Sequence, residues 1–240
     1  MVTLNRNKMA IVVPTLDEEE GVGFVLDGLN KSLDEFNYTI VVVDGDSTDR
    51  TVEIAKDKGA TVIKQRGTGY GDALCEGLTY AVSQFGSDIL VIMDGDGSYP
   101  ASSVVKMIRP ILNGKFDMIV ARRCPQQGSM PLINRFGNIM ISLVVRILLN
   151  LNIHDTQSGG MAFRNRLVED SVIRTKGWAV NTELLKEAVR KQMRVGEVDV
   201  AYLPRKGETK QNILKGGVMN LVVILRTLRD RLSANASRKA

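Results

Sequence analysis

The 240 residues carry 44% apolar side chains and a net charge of +5, which supplies a core for one sizeable α/β domain and argues against disorder. From Arg205 onward nine Lys or Arg face only Glu208 and Asp230, so this stretch holds +7 and the rest −2; a basic tail on a near-neutral body predicts a polyanionic partner, such as an anionic membrane surface or phosphate groups. Sparse, scattered aromatics disfavour nucleic-acid stacking, and Cys75 and Cys124, with no CxxC or Cys/His cluster, indicate neither a disulfide framework nor a zinc site and fit a reducing cytosolic compartment.

The opening "MVTLNRNKMAIVV" lacks the long apolar segment and cleavage site of a signal peptide, so its apolar run reads as a first strand. Short β-branched runs then alternate with helix-patterned stretches. "MAIVVP" precedes a helix over 19–36, "YTIVVVDG" one over 48–58, "ATVIKQ" one over 70–85 and "DILVIMDGDG" one over 101–113, before "FDMIVARR". The alternation predicts an α/β fold, a single Rossmann-like, mostly parallel sheet with helices on both faces. Runs that are apolar throughout, such as "TIVVV" and "ILVIM", suit strands buried on both sides. After Arg123 the pattern changes to a loop, an apolar helix through about Leu151, the stretch "HDTQSGGMAFRN", a helix "NTELLKEAVRKQ" with Thr182 as its cap, and a strand "VGEVDVAYLPR".

No run approaches the roughly 18 uncharged apolar residues of a membrane span, so spanning is not expected. Leu221, Leu225, Leu228 and Leu232 repeat at helical spacing beside Lys215, Arg226, Arg229 and Arg231. This predicts a basic amphipathic helix in 213–240, appended to a domain of 1–212, that lies on an anionic membrane or packs on the core. The apolar helix from Ile139 to Leu151 is a second candidate for the membrane side.

In a parallel sheet ligands sit beyond the carboxyl ends of the strands, and here those ends are acidic: "PTLDEEE", "DGDSTDRT" and "DGDGSYP". Carboxylates crowded on one sheet edge are costly unless a cation or hydrogen-bonding ligand compensates. Asp94 and Asp96, at i and i+2, project to one side of an extended segment and would hold a divalent, oxygen-loving ion together with a phosphate. Gly95 and Gly97 would let the ligand approach the backbone. An isolated DxD is more often an ordinary Gly/Asp turn; the neighbouring acidic tips change that balance. Asp44 at the second strand's tip would accept from a nucleobase or ribose while Ser47 or Asp49 starts a helix. Pro14 and Thr15 shape the first turn, and Asp17 or Glu18 faces the same crevice. "RGTGYGDALCEG", with Gly71 in its turn, would present backbone N–H groups to a phosphate. It is not a dinucleotide fingerprint, so a nicotinamide cofactor is not expected.

Together "VVPTLDEEE", "VVVDGDSTDRT", "GYGDALCEG", "MDGDGSYP", "ARR", "DTQSGGMAFR", "TELLKEA" and "EVDVAYLPRKGETK", in that order over about residues 9 to 215, resemble family-2 glycosyltransferases of the GT-A fold, and within them the polyprenyl (dolichyl) phosphate sugar synthases. The resemblance implies that Asp94 and Asp96, with Ser98 beside them, hold Mg²⁺ or Mn²⁺ on the diphosphate of a nucleotide-sugar. Pro14, Thr15, Asp17, Glu18, Asp44, Asp46, Gly71 and Gly95 would surround that donor; Arg205 and Lys210 would close over the donor diphosphate or the lipid phosphate as a basic flap, or form a flexible surface charge run. It implies an acceptor phosphate held by Arg122, with Arg123, and by Arg135 as a second clamp, with Asp155, Ser158 and Glu183 on the acceptor side. His154 is not needed as a general base, because a phosphate acceptor with a second pKa near ~6 is already a nucleophile at neutral pH.

Three departures stand out. Gly45 separates the acids after the second strand, leaving open whether Asp44 or Asp46 meets the base. Tyr70 stands where the family commonly has lysine, and Ser98 where mannosyl members usually have glutamine. The expected activity is metal-dependent inverting transfer of a hexose, from a GDP-mannose or UDP-glucose type donor, to polyprenyl phosphate by a peripheral protein at the cytoplasmic membrane face. A non-lipid acceptor is one alternative. A sugar-1-phosphate nucleotidyltransferase, which should show a basic glycine-rich loop after strand one, is another, and a non-catalytic binding module a third.

Overall fold

The computed structural model describes residues 7–171, 177, 179–207 and 223–226. Seven strands form one sheet in the order β3-β2-β1-β4-β6-β5-β7: β1 (Met9–Thr15), β2 (Tyr38–Asp44), β3 (Thr61–Lys64), β4 (Ile89–Ile92), β5 (Met118–Pro125), β6 (Met161–Arg164) and β7 (Val195–Tyr202). All neighbours are parallel except β6, which runs antiparallel to both β4 and β5. Sequence patterning predicts the other six strands; β6 lies unpredicted inside "DTQSGGMAFR", because a four-residue strand whose partners are distant in sequence leaves little periodic signal.

Alternation along the strands builds two cores, since successive side chains point to opposite faces. Ile11, Val13, Val91 and Ile119 meet Val22, Leu26 and Leu29 of α1 (Glu19–Ser32) and Val104 and Ile108 of α4 (Ser102–Leu112), with Ala55 of α2 (Thr51–Asp57) on the same side. Val12, Leu90 and Val120 meet Leu74 and Leu78 of α3 (Tyr70–Phe85), Val145 and Leu149 of α5 (Leu132–Leu149), and Leu184 and Leu185 of α6 (Val180–Arg190). Helix α3 presses close to the sheet: a Cβ on Gly77 would lie 2.5 Å from Val12 Cγ1 and 2.7 Å from Val43 Cγ2.

Two expectations are corrected. Thr182 lies inside α6 and does not cap it; the helix starts at Val180, and the Thr182 hydroxyl accepts from Gln157 Nε2 at 3.1 Å. The apolar stretch before Arg146 is part of an 18-residue helix, α5, long and apolar enough by length and composition to cross a membrane. Arg135 and Arg146 interrupt the uncharged run without breaking the helix. Most of α5 is uncovered: Leu132 is 81% exposed, Phe136 63% and Ile147 69%. Lys210 and the 212/213 boundary lie outside the described residues. Of the expected C-terminal helix only 223–226 are described; they are helical, with Val223 and Ile224 buried and Leu225 exposed.

Candidate active site

The turns after β1, β2 and β4 meet at the carboxyl edge of the sheet, as the parallel topology requires. The first two are laced together. Ser47 Oγ accepts from Asp17 N–H, Thr51 Oγ1 from Glu18 N–H, and Asp17 Oδ1 from Thr48 N–H at 2.7 Å. Gly45 N–H donates to the Thr15 carbonyl, and Thr15 itself is buried. Asp17 and Asp46 both take positive φ, 46° and 76°, a backbone region that aspartate visits more readily than most residues and that clusters at functional sites. Much of the acidity here braces the loops: Asp17 holds Thr48, and Asp49 Oδ1 accepts from Thr51 N–H at the start of α2. The two acids after β2 have opposite surroundings. Asp44 is buried and accepts from Asp46 and Ser47 N–H groups, whereas Asp46 is exposed and pairs with Lys64 at 2.6 Å.

Asp94 and Asp96 follow β4. Burial, and then the Asp96 charge, push the Asp94 carboxyl up to about 7, as expected for a buried acid with an acidic neighbour. A Cβ at position 159 would fall 2.3 Å from Asp94 Oδ2, so the second glycine-rich turn is built to let this carboxylate in. Tyr70 at the start of α3 donates its hydroxyl to Asp94 Oδ1 at 3.3 Å, with Gly71 buried beside it. Ser98 is fully buried; its N–H donates to Asp96 Oδ1 and its carbonyl accepts from Leu203 N–H, which makes it a brace for the aspartate. Arg205 donates to Glu18 Oε1 at 2.8 Å and stands 3.7 Å from Asp96. The neighbouring Lys206 N–H donates to the Asp96 carbonyl, and its ammonium lies over the Phe24 ring.

The residues fit a divalent ion of the hard, oxygen-binding kind. Two carboxylates are held together with one raised toward neutrality, the state a cation would reverse. Among the described residues no group of three His, Cys, Asp or Glu side chains forms a closed metal site, so the remaining ligand positions are left to substrate oxygens and water.

Beside the acids, β5 ends in two arginines with different surroundings. Arg123 is nearly buried, doubly hydrogen-bonded to Asp155 at 2.7 and 2.8 Å and stacked on Tyr202. Burial works against its charge, but Asp155 overrides this and raises the guanidinium pKa. Arg122, its exposed neighbour, is bidentate with Asp199 across the parallel β5–β7 pair. Both line an open cavity of roughly 180 Å³ with Arg135, Asn138, His154 and Asp155. The structure thus brings Arg122, Arg123, Arg135 and Asp155 together at one cavity. It does not bring Ser158 or Glu183 to that cavity. Ser158 is buried against the Tyr99 hydroxyl at 3.0 Å, and Glu183 is buried in the first turn of α6.

The sequence reading missed Tyr99, Glu197, Asp199 and Lys206. The i, i+2 spacing of "EVD" on β7 was the available signal for the two acids, since it puts them on one face.

Residues 10–172 match the model of glycosyl transferase family 2. The chain is a family-2 glycosyltransferase. This removes the nucleotidyltransferase and binding-module readings. The glycosyltransferase is 33% identical over 210 residues to a dolichyl-phosphate hexose transferase of Haloferax volcanii, covering 87% of this chain and 89% of the relative. It is 27% identical over 214 residues to a UDP-N-acetylglucosamine–dolichyl-phosphate N-acetylglucosaminyltransferase of Methanococcus voltae, with 79% and 83% covered. Its GT-A fold is shared with glucosyl-3-phosphoglycerate synthase of Mycobacterium tuberculosis, solved with Mn²⁺, UDP and glucosyl-3-phosphoglycerate: TM-score 0.70 and 22% identity over 94% of this chain and 80% of that one.

Proposed function

We propose that this glycosyltransferase moves a hexose, with inversion, from a nucleotide diphosphate-sugar to a polyprenyl or dolichyl phosphate at the cytoplasmic face of a membrane. The observation that carries the reading is the adjacency of two unlike sites. An acid pair that needs a cation stands next to an arginine-lined cavity, and that cavity opens against an uncovered apolar helix. The names of the relatives, which specify dolichyl phosphate, support the same acceptor.

Asp94 and Asp96 would hold Mg²⁺ or Mn²⁺, which supplies charge stabilisation for the departing nucleoside diphosphate. Tyr70 and Ser98 fix the two carboxylates, and Arg205, already between Glu18 and Asp96, would pair with the diphosphate. Buried Asp44 faces the nucleoside in this reading, and Asp46, engaged with Lys64, does not. Arg123 and Arg135 orient the acceptor phosphate so that one of its oxygens attacks the anomeric carbon opposite the leaving diphosphate. The sugar–diphosphate bond breaks as the sugar–phosphate bond forms. No protein base takes a proton from the ionised acceptor.

Helix α5 supports the membrane contact. Leu132, Phe136, Met140, Leu143 and Ile147 form an exposed apolar stripe, while Ser142, Val145 and Leu149 are buried against the domain. A helix of about 27 Å with one side packed on the protein cannot be surrounded by lipid; it lies in the interface with its stripe in the acyl boundary. Arg122 and Arg135 then face the anionic headgroup layer.

The test is a transfer panel with purified protein, Mg²⁺ or Mn²⁺, and labelled GDP-mannose, UDP-glucose or UDP-GlcNAc, with and without polyprenyl phosphate, beside Asp96→Ala. Metal-dependent label in the lipid phase, lost in the variant, is the expected result and identifies the donor. Nucleotide release without lipid labelling would reject the acceptor.

A further inference from the structure

The cavity next to the acid pair is short of positive charge. Arg122 is bidentate with Asp199, and Arg123 is bidentate with Asp155. Arg135, exposed at the cavity wall, has no carboxylate partner among the described residues. Glu197 supplies the third carboxylate, only 10% exposed at its side chain. Three arginines are therefore balanced by three acids, and a phosphate dianion would enter a site of no net charge. Among the residues that line the cavity, His154, the single histidine of the chain, is the group that can add a positive charge by taking up a proton.

His154 is held with unusual completeness for a half-exposed side chain. Glu197 Oε1 accepts from the backbone N–H of His154 at 2.8 Å and of Asp155 at 2.9 Å, and Glu197 Oε2 lies 2.9 Å from His154 Nδ1. A carboxylate can only accept, so this contact fixes the proton on Nδ1 and leaves Nε2 on the ring's open edge. Nε2 has no partner among the described residues, and the ring lines the cavity with Arg122, Arg123 and Arg135.

We propose that His154, clamped by Glu197, is a phosphate-binding residue: its Nε2 meets the phosphomonoester head in this cavity and carries the one additional proton that makes the site cationic. The proposal rests on the acceptor reading given above and assigns that site a residue and a protonation state. The imidazolium brings this proton to the phosphate dianion, so the complex holds a single shared proton between Nε2 and a phosphate oxygen. No bond to carbon is made or broken by the histidine. The charges that face it are Glu197 and Asp199 from β7, Arg122 and Arg123 from β5, Arg135 from α5 and Asp155 beside it, with Lys106 of α4 acting on Asp199. Acceptor affinity should consequently fall as pH rises and the shared proton is lost from the complex.

Because the chain has one histidine, its ring nitrogens can be read without assignment ambiguity in a long-range ¹H–¹⁵N spectrum of the full chain. The probes are geranyl phosphate, inorganic phosphate and geraniol. Expected are a protonated Nδ1 in the free protein, an Nε2 resonance moved toward the protonated position by geranyl phosphate but not by geraniol, and loss of the Nδ1 preference in Glu197→Gln. In transfer assays, His154→Gln should raise the acceptor KM about tenfold, the size of one lost charge-assisted hydrogen bond. It should raise the acceptor KM more than it lowers kcat and flatten the rise of KM with pH. An unmoved Nε2 at geranyl phosphate concentrations that support transfer overturns the proposal alone. A moved Nε2 without any lipid transfer supports the phosphate site and overturns the acceptor reading. An equal response to inorganic phosphate supports His154 as a phosphate ligand and detaches it from the lipid.

Discussion

At the amino end of β5, Asp117 receives Arg194 at 2.9 Å and Arg166 at 3.1 Å, with Arg164 at 3.8 Å; beyond the carboxyl end of β4, Asp94 faces another aspartate and a tyrosine hydroxyl. The Arg194 hydrogen bonds take Asp117 down to about 2, whereas burial and Asp96 take Asp94 up to about 7. One residue type at opposite ends of the same sheet is thus displaced in opposite directions. The amino-end acid has counter-charges in direct hydrogen-bond contact, whereas at the carboxyl-end acid the charges of Arg123 and Arg205 do not offset burial and the Asp96 charge. That difference separates a carboxylate that serves the fold from one arranged for a ligand.

The sharpest way to test the distinction is to attack the carboxyl-end acid that behaves like Asp117. Asp155 neutralises the nearly buried Arg123, so Asp155→Leu should cost about 3–5 kcal/mol in urea unfolding, the penalty for stranding a buried charge. Adding Arg123→Met should recover most of that stability without restoring transfer. A double variant as unstable as the single one would mean that the pair does not act as a unit. Asp94→Asn should do the reverse. Transfer should fall about 100-fold or more, the scale of losing one charge-stabilising group, while the unfolding midpoint holds or rises because repulsion with Asp96 is relieved. A stability loss comparable to that of Asp155→Leu would put Asp94 among the structural acids.

The parts of this arrangement that were legible in the sequence are those that depend on local pattern. Strands apolar on both faces, the helix at 70–85 and the crowding of acids at strand ends follow from runs and spacings. Arg123, and not Arg122, turns inward because of where β5 sits between β6 and β7, and neither neighbour's register is written in "ARR". The Arg122–Asp199 pairing exists because these residues are opposite one another in a parallel pair far apart in sequence. Asp44 and Asp46 could be told apart only once Lys64 was brought alongside by the β2–β3 pairing. His154 is dispensable as a base in the sequence reading, and the Glu197 contact that gives it another role is equally non-local.

The smaller effects lie at the amino end and test its half of the contrast. Asp117→Asn keeps the side chain's shape but removes the charge that three arginines share. Since Arg194 and Arg166 are about half-exposed and solvent screens them, the loss should be only about 1–2 kcal/mol, with transfer unchanged. The pH dependence of that loss identifies its source. A carboxyl whose pKa is lower in the folded than in the unfolded chain contributes stability that is full above the unfolded value, near ~4, and disappears as pH falls through the folded one. The gap between wild type and Asp117→Asn should therefore be constant from neutral pH to about 5 and close by about 1 kcal/mol between pH ~4 and ~2. A gap that persists to pH ~2 would show that the variant's defect is one of packing. In that case Asp117 would not be the charge-balanced counterpart against which the only partly compensated acid pair of the active site is defined.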